Sequence, residues 1–383
     1  MHIQPILALI PYMSFARSLQ TALRSSSLHL RNTLHTSHSA MSTITQGDKV
    51  LVTGASGFIA VHLCRDLLKK GYKVRGTVRS EEKGEYLKDL LKSQDFEYVL
   101  VDDITKDGVF DKAVQGVDAV AHTASPFHFK STHPDELIEP AVKGTTGVLK
   151  SIQKANPNVK RVVITSSVAA IMSPISKSDV KRFTEDDWNE DSVKECESKG
   201  KDTPPMHMYL ASKTLAERSL WDFIEKEKPS WDAVAINPPL VLGEVLQQVD
   251  KVESLNTSVA RVHAWATGER KEEELPAPMG NWVSVRDVSN AHIRALEVPE
   301  AKGQRFIVGA GPFAGQDVVD VLHKRYPDVP NVPVGKPGTH DEAIKDAAVY
   351  DGSKATKVLG IQYESFEDTL VDTFESLKKK NWL

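Results

Sequence analysis

Three observations predict an α/β fold built on a doubly wound parallel sheet. Short apolar runs alternate with amphipathic helical stretches through the first two thirds of the chain beyond Lys49. The apolar run Val50-Leu51-Val52 leads directly into a glycine turn, Thr53-Gly54-Ala55-Ser56-Gly57-Phe58-Ile59-Ala60. Much further on, Tyr209-Leu210-Ala211-Ser212-Lys213 sets a phenol and an ammonium four residues apart, downstream of Thr165-Ser166-Ser167.

Taken in order, Lys49–Thr53 reads as a buried strand. Residues 58–70 read as a helix with Ile59, Leu63, Leu67 and Leu68 at helical spacing, and Gly71 is placed to cap its C-terminus. A second strand (74–78), a second helix (81–92) and a third strand (98–101) follow. Further strands at 119–122 and 162–165 flank a helix over 141–155. Residues 175–205, rich in Asp, Glu, Lys and Ser, read as a long surface excursion before a helix that begins near Met208. A strand at 233–236 ends in Asn237-Pro238-Pro239. Beyond it, short helices and loops such as Pro276-Ala277-Pro278 and 333–338 suggest a smaller lobe, and 368–379 closes the chain as an amphipathic helix. The expected organisation is an N-terminal extension (1–46), a dinucleotide-binding domain (47–237, with 281–310 returning to it), and a substrate-binding lobe (238–280 and 311–383).

Of the 383 residues, 40% are hydrophobic and 26% charged, the balance of an ordinary globular chain. The net charge of -4 offers no basic footprint for nucleic acid. Two cysteines, Cys64 and Cys196, exclude a disulfide framework and give no zinc spacing. Residues 1–46 carry Arg17, Arg24 and Arg31 and no acid, the composition of a mitochondrial transit peptide. The competing reading starts translation at Met41 instead of Met1. The longest apolar stretch there, 6–13, is too short to span a bilayer, so no membrane partner is expected. The expected location is the cytoplasm, or the mitochondrion if residues 1–46 act as a transit peptide.

The glycine turn can bring backbone N–H groups against a dinucleotide pyrophosphate, at a helix N-terminus with partial positive charge. Gly54 and Gly57 are the close-approach positions, and Ser56, Phe58 and Ile59 complete the turn and the start of the helix. The spacing is G-x-x-G-x-x-A rather than G-x-G-x-x-G, with the small Ala60 third. Where an NAD site usually has an acid, Arg79 follows the second strand, and Lys83 lies one helical turn on. Two cations suit a 2′-phosphate and favour NADP(H) over NAD(H), although Glu81 and Glu82 stand between them. Asp103 and Ile104 follow the third strand, where a carboxylate can reach the adenine. Thr123, Ala124 and Ser125 follow the fourth, where small side chains let the middle of the cofactor pass.

Tyr209 and Lys213, at i and i+4, share a helix face. A phenol is a poor proton donor or acceptor at neutral pH, and a nearby ammonium is expected to lower its pKa. Such a phenol can protonate a carbonyl oxygen as hydride arrives, with Ser167 bonding the same oxygen. His207 has no evident partner; His122, His128 and His133 show no metal-ligand spacing, and no G-x-S-x-G elbow is present.

These segments together resemble an extended short-chain dehydrogenase/reductase of the dihydroflavonol reductase-like group, and within it the fungal NADPH-dependent aldehyde and ketone reductases of the methylglyoxal/isovaleraldehyde type. The resemblance rests on TGASGFIA (53–60), GTVRSEEK (76–83), AHTASPF (121–127), VVITSSVAAI (162–171), YLASKTLAE (209–217), INPPLVLG (236–243), WVSVRDV (282–288) and DGSKATKVLG (351–360). It covers nearly all of 47–380. It implies a catalytic set of Ser167, Tyr209 and Lys213, with Ser166 as the other candidate serine. It further implies that Tyr209 and Lys213 also touch the cofactor, that Pro238 lies beside the nicotinamide, and that Arg79 and Lys83 bind the 2′-phosphate. Ala60 departs from the glycine of many relatives. The implied substrate pocket includes Phe127 and the 240–245 segment, with Leu240 and Val241. The expected activity is NADPH-dependent reduction of an aldehyde, ketone or 2-keto compound to an alcohol, by a monomer or homodimer whose partner is that small carbonyl compound. The alternatives are a nucleotide-sugar epimerase-like enzyme and a non-catalytic NADP-sensing protein. Val168-Ala169-Ala170 offers none of the acids that dehydratases carry after the serine/threonine strand end, and the intact Tyr–Lys pair tells against a sensor.

Overall fold

A computed structural model describes residues 43–125, 131–173 and 182–383. Its strands are β1 (Lys49–Thr53), β2 (Lys73–Val78), β3 (Phe96–Leu100), β4 (Ala119–His122), β5 (Arg161–Thr165), β6 (Arg182–Phe183), β7 (Asp232–Asn237), β8 (Leu240–Leu242), β9 (Pro278–Ser284), β10 (Arg305–Ile307), β11 (Gly311–Ala314) and β12 (Val349–Tyr350). Its helices are α1 (Phe58–Lys69), α2 (Glu81–Leu91), α3 (Asp135–Ala155), α4 (Glu190–Lys199), α5 (Pro205–Glu227), α6 (Thr257–Ala266), α7 (Val285–Glu297), α8 (Gly315–Arg325), α9 (His340–Ile344) and α10 (Phe366–Lys378).

Seven strands form one parallel sheet in the order β10-β7-β5-β4-β1-β2-β3. The chain runs outward from β1 to β3, then returns to lay β4 on the other side of β1. That reversal opens a crevice beyond the C-terminal ends of β1 and β4, where such sheets bind ligands. A parallel sheet is covered on both faces, so its strands must be apolar throughout. They sort by alternation: Val50, Val52, Ala119, Ala121, Val163, Val234 and Ile236 pack on one face with Leu63 and Leu67 of α1 and Val288 and Leu296 of α7. The intervening Leu51, Val120, Val162, Ile164, Ala233 and Ala235 pack on the other with Val148, Leu149 and Ile152 of α3 and Leu220 of α5. A smaller sheet, β11-β9-β8, carries its own core of Trp265, Phe313, Leu370 and Phe374 with α6, α8 and α10. The short β12 and β6 pair in parallel.

Most expected elements are present within one or two residues of their expected ends, and Gly71 leaves α1 with φ +84°. Four differences matter. Helix α3 starts at Asp135, six residues before the expected 141, because it runs through Pro140. The 175–205 excursion contains a helix, α4, whose Asn189 cap accepts from the Ser192 N–H at 3.0 Å. Val193 and Cys196 of α4 are buried against Leu137, Met208 and Ala211, and only those two apolar positions signalled it in a polar stretch. Ile44 is buried in the main core and the Gly47 N–H donates to the Gly71 carbonyl, so the folded chain begins before residue 47. Finally, Ala355, Leu359 and Ile361 pack with α1 and α7 in the core of the large sheet rather than with the smaller lobe.

Candidate active site

The glycine turn sits at the crevice. Gly54 has φ +65°, and a Cβ there would lie 3.0 Å from the Ala124 backbone at the end of β4. Glycine is therefore required twice over, by conformation and by space. A Cβ on Gly57 would press on the Gly54 carbonyl at 3.2 Å, and Gly57 itself is exposed. No side chain caps α1, and its first turn holds no acid, which leaves its N-terminus fit for a pyrophosphate. Ser56, Phe58 and Ile59 are half-buried around it. Thr77 on β2 holds the turn: its hydroxyl accepts from the Gly54 N–H at 3.0 Å and its carbonyl from the Ala55 N–H at 2.9 Å.

The hydroxyl of Thr53 ties the ends of β1 and β4 together. It accepts from the Thr123 and Ala124 N–H groups, both at 3.1 Å, so its proton is free for His122 Nδ1 at 2.9 Å. Burial pushes His122 down to about 4, which keeps it neutral and makes Nδ1 an acceptor. His122 is thus structural. Arg79 is exposed and Lys83 half-buried at the start of α2, and neither makes an ion pair among the described residues. Glu82 accepts from Gln248 Nε2 at 2.7 Å. Asp103 Oδ1 accepts from the Thr105 N–H and hydroxyl, which hold its carboxyl below the usual range, while Ile104 packs against Gly144 of α3.

Tyr209 and Lys213 lie on α5, whose side faces the end of β5. Tyr209 is hydrogen-bonded to Ser167. The Ser167 hydroxyl also accepts from the Ala169 N–H at 3.1 Å, and its oxygen stands 3.4 Å from the Pro238 carbonyl, an alternative acceptor for its one proton, so Pro238 lies beside it. Ser166 points the other way, donating to Glu217 at 2.5 Å inside the protein. Of the two candidate serines, Ser167 is therefore the one that meets the tyrosine. Lys213 Nζ donates to Ser125 Oγ at 2.5 Å and lies 5.8 Å from the Tyr209 ring centre.

The ionisation differs from the expectation. Burial pushes the Tyr209 phenol up to about 12, against the lowering effect of Ser167. Burial also pushes Lys213 down to about 8. Desolvation of the charged forms outweighs the attraction expected between them, because the ammonium is turned toward Ser125. The pocket expectations divide. Leu240 is half-buried, whereas Val241 is buried and packs in the core. Phe127 lies outside the described residues. Among those residues no cluster could hold a metal, and no helix is long and apolar enough to cross a membrane.

Sequence reasoning singled out neither Glu217 nor Arg305. Glu217 follows Lys213 by four residues, so the i, i+4, i+8 row from Tyr209 was the available signal. Its carboxylate accepts from Ser166, from Asn237 Nδ2 at 2.7 Å, from Trp221 Nε1 at 3.3 Å and from Arg305 Nε at 2.5 Å.

A glycine cradle at the reversal of a parallel sheet, with serine, tyrosine and lysine converging next to it, defines a dinucleotide-binding oxidoreductase of the short-chain dehydrogenase/reductase type. Residues 50–311 match the NAD dependent epimerase/dehydratase family, and the chain belongs to that family. It is 39% identical over 342 residues to the ketoreductase azaE of Aspergillus niger, covering 86% of this chain and 97% of the relative. It is 38% identical over 341 residues to an NADPH-dependent methylglyoxal reductase of Saccharomyces cerevisiae, covering 86% and 98%. Among solved structures, yeast methylglyoxal/isovaleraldehyde reductase complexed with NADPH superposes with a TM-score of 0.77 at 35% identity, covering 88% of this chain and all of that one. Vestitone reductase from alfalfa gives 0.69 at 26% identity, covering 88% and 99%.

Proposed function

We propose that this protein is an NADPH-dependent carbonyl reductase that converts a small aldehyde, ketone or 2-keto compound to the alcohol. The observation that carries the reading is the Ser167–Tyr209 hydrogen bond at the end of β5, one helical turn from Lys213 and next to the Gly54–Gly57 cradle. The relatives named above as a ketoreductase and as NADPH-dependent reductases support it.

Bound NADPH supplies the hydride that the carbonyl carbon accepts. The protein's own residues handle the oxygen. Tyr209, held protonated at neutral pH with a phenol near 12, donates its proton to that oxygen as negative charge builds. Ser167 bonds the same oxygen and stabilises the charge. Lys213, half-buried near the phenol, stabilises the phenolate left behind and draws a proton back to it. Gly54, Ser56, Gly57, Phe58 and Ile59 cradle the pyrophosphate, Thr123, Ala124 and Ser125 border the cofactor's middle, and Pro238 borders its nicotinamide end. Asp103 and Ile104 border the adenine. Arg79 and Lys83 receive the 2′-phosphate, with Glu82 occupied by Gln248. Leu240 contributes to the substrate pocket. The protein acts in the cytoplasm, or in mitochondria where residues 1–46 serve as a transit peptide; a reporter fused behind those residues tells the two apart.

The test is NADPH oxidation with a panel of aldehydes, diketones and aryl ketones, repeated with NADH. Turnover is expected with NADPH. Tyr209→Phe is expected to lower kcat by roughly 100- to 10,000-fold while NADPH Kd stays within about twofold, the range for loss of a general acid. Replacing Arg79 and Lys83 with alanine is expected to weaken NADPH by about tenfold or more and leave NADH unchanged. Tight NADPH binding with no turnover across the panel moves the assignment to a sugar-nucleotide enzyme or a sensor.

A further inference from the structure

Glu217 is the most enclosed carboxylate near the site; besides Trp221 on its own helix, its partners Ser166, Asn237 and Arg305 come from three other parts of the site's frame. It stands two turns past Tyr209 on α5. Its Oε2 accepts from Ser166, the neighbour of Ser167, and from Asn237, the neighbour of Pro238. The Asn237 amide also donates to the Ser167 carbonyl at 3.1 Å. Its Oε1 accepts from Arg305 Nε, on edge strand β10. Arg305 continues outward, donating to the Glu185 and Asp187 carbonyls at 2.7 and 2.9 Å and lying 3.7 Å over the Trp188 ring. That segment precedes Asn189, whose amide donates to the Ala169 carbonyl at 3.1 Å in the turn after Ser167.

A buried ion pair adds little net stability over apolar packing, since desolvation offsets the attraction. What this pair supplies is geometry. Every partner of the carboxylate is a donor, so an acceptor-only group at this position locks α5 to the ends of β5 and β7 in one register. We propose that Glu217, held by Arg305, is a positioning residue for the reduction: through Ser166 and Asn237 it sets Ser167 against Tyr209. This rests on the reductase reading above. Glu217 touches no reacting atom, and it acts through its neighbours.

Glu217→Gln keeps the volume but turns an amide NH2 toward donors on one side or the other. Arg305→Met, the Glu217→Gln/Arg305→Met double variant, and Ser166→Ala, which cuts a single link, complete the set in the full-length chain. The readouts are kcat and KM on the best substrate of the panel, NADPH Kd, Tm, and ultraviolet titration of the Tyr209 phenolate by difference against Tyr209→Phe. Glu217→Gln is expected to lower kcat by about 30-fold or more with NADPH Kd within about threefold, and to move the Tyr209 titration upward as the Ser167 bond is lost. The double variant is expected to regain Tm without regaining kcat, because no unpaired charge remains but the link is gone. Ser166→Ala is expected to lower kcat several-fold with the same upward titration shift. The proposal is overturned if the double variant regains kcat along with Tm, or if Glu217→Gln and Ser166→Ala leave kcat and the Tyr209 titration unchanged. The titration needs no substrate, so a wild-type protein that binds NADPH and reduces nothing refutes the reductase reading separately.

Discussion

At the scale of single residues, backbone conformation and burial decide the chemistry. Gly54 combines φ +65° with a 3.0 Å approach to the Ala124 backbone. An alanine there is expected to add about 1–2 kcal/mol of left-handed strain and to push the ends of β1 and β4 apart. Gly54→Ala should weaken NADPH by tenfold or more in a fluorescence titration and lower Tm by several degrees; unchanged affinity would mean the turn does not contact the cofactor. The two halves of the Tyr–Lys pair show a second residue-scale effect. The i, i+4 spacing told where the side chains go, but the direction of their pKa shifts follows from desolvation, which raises the phenol and lowers the amine. A tyrosine that stays protonated is the form a reduction needs.

Among the elements, helix α4 shows what periodicity misses. Its ten residues are mostly polar, and its identity rests on a cap and two buried apolar positions, Val193 and Cys196. Asn189 is fully buried. Its Oδ1 accepts from Ser192 and its Nδ2 donates to Ala169. Asn189→Ala removes the cap and leaves the Ala169 carbonyl without that donor, an expected loss of about 2 kcal/mol. Urea denaturation measures it as a lower midpoint with an unchanged m-value, and an unchanged midpoint would show that α4 does not depend on its cap. Helix α3 makes the complementary point. Proline ordinarily ends a helix, yet α3 passes through Pro140, with Thr145, Val148, Leu149 and Ile152 buried beyond it.

For the molecule as a whole, buried titratable groups tie stability to pH. His62, His122 and His292 are all pushed down to about 4, chiefly by burial. His62 Nε2 donates to the Glu244 carbonyl, and His292 Nδ1 to that of Val288, so His292 Nε2 accepts from the Thr165 hydroxyl. Between about pH 6.5 and 4 the unfolded chain protonates these rings and the folded chain does not, so stability falls as pH falls through that window. Asp287 has the opposite sign. Burial raises it to about 7, so the folded chain holds a proton that the unfolded chain releases above about pH 4, and stability falls as pH rises toward 7. Burial also raises Glu185 and Asp372, in the same sense as Asp287, but the three rings and Asp287 carry large shifts, and among these four the balance is a net loss on acidification, at most about 3 kcal/mol per pH unit. The urea midpoint should therefore be lower at pH 5 than at pH 7, and Asp287→Asn should widen the gap. An equal midpoint at both values would show that these rings are solvated.

Sequence alone determined the local features: the alternating strands and helices, the glycine turn after Val50–Val52, the Gly71 cap, and the helix that carries Tyr209 and Lys213. Each is written in neighbouring residues, through periodicity, conformational preference or spacing within a turn or two. Tertiary structure decided the rest. It chose Ser167 over Ser166, because α5 brings Tyr209 to one and Glu217 to the other. It placed Ile44 and Ala355 in the same core, and it joined Glu217 to Arg305 across 88 residues of chain. No local pattern records such meetings, since they depend on strand order and on which helix face turns inward, and burial then sets the charge each group can carry.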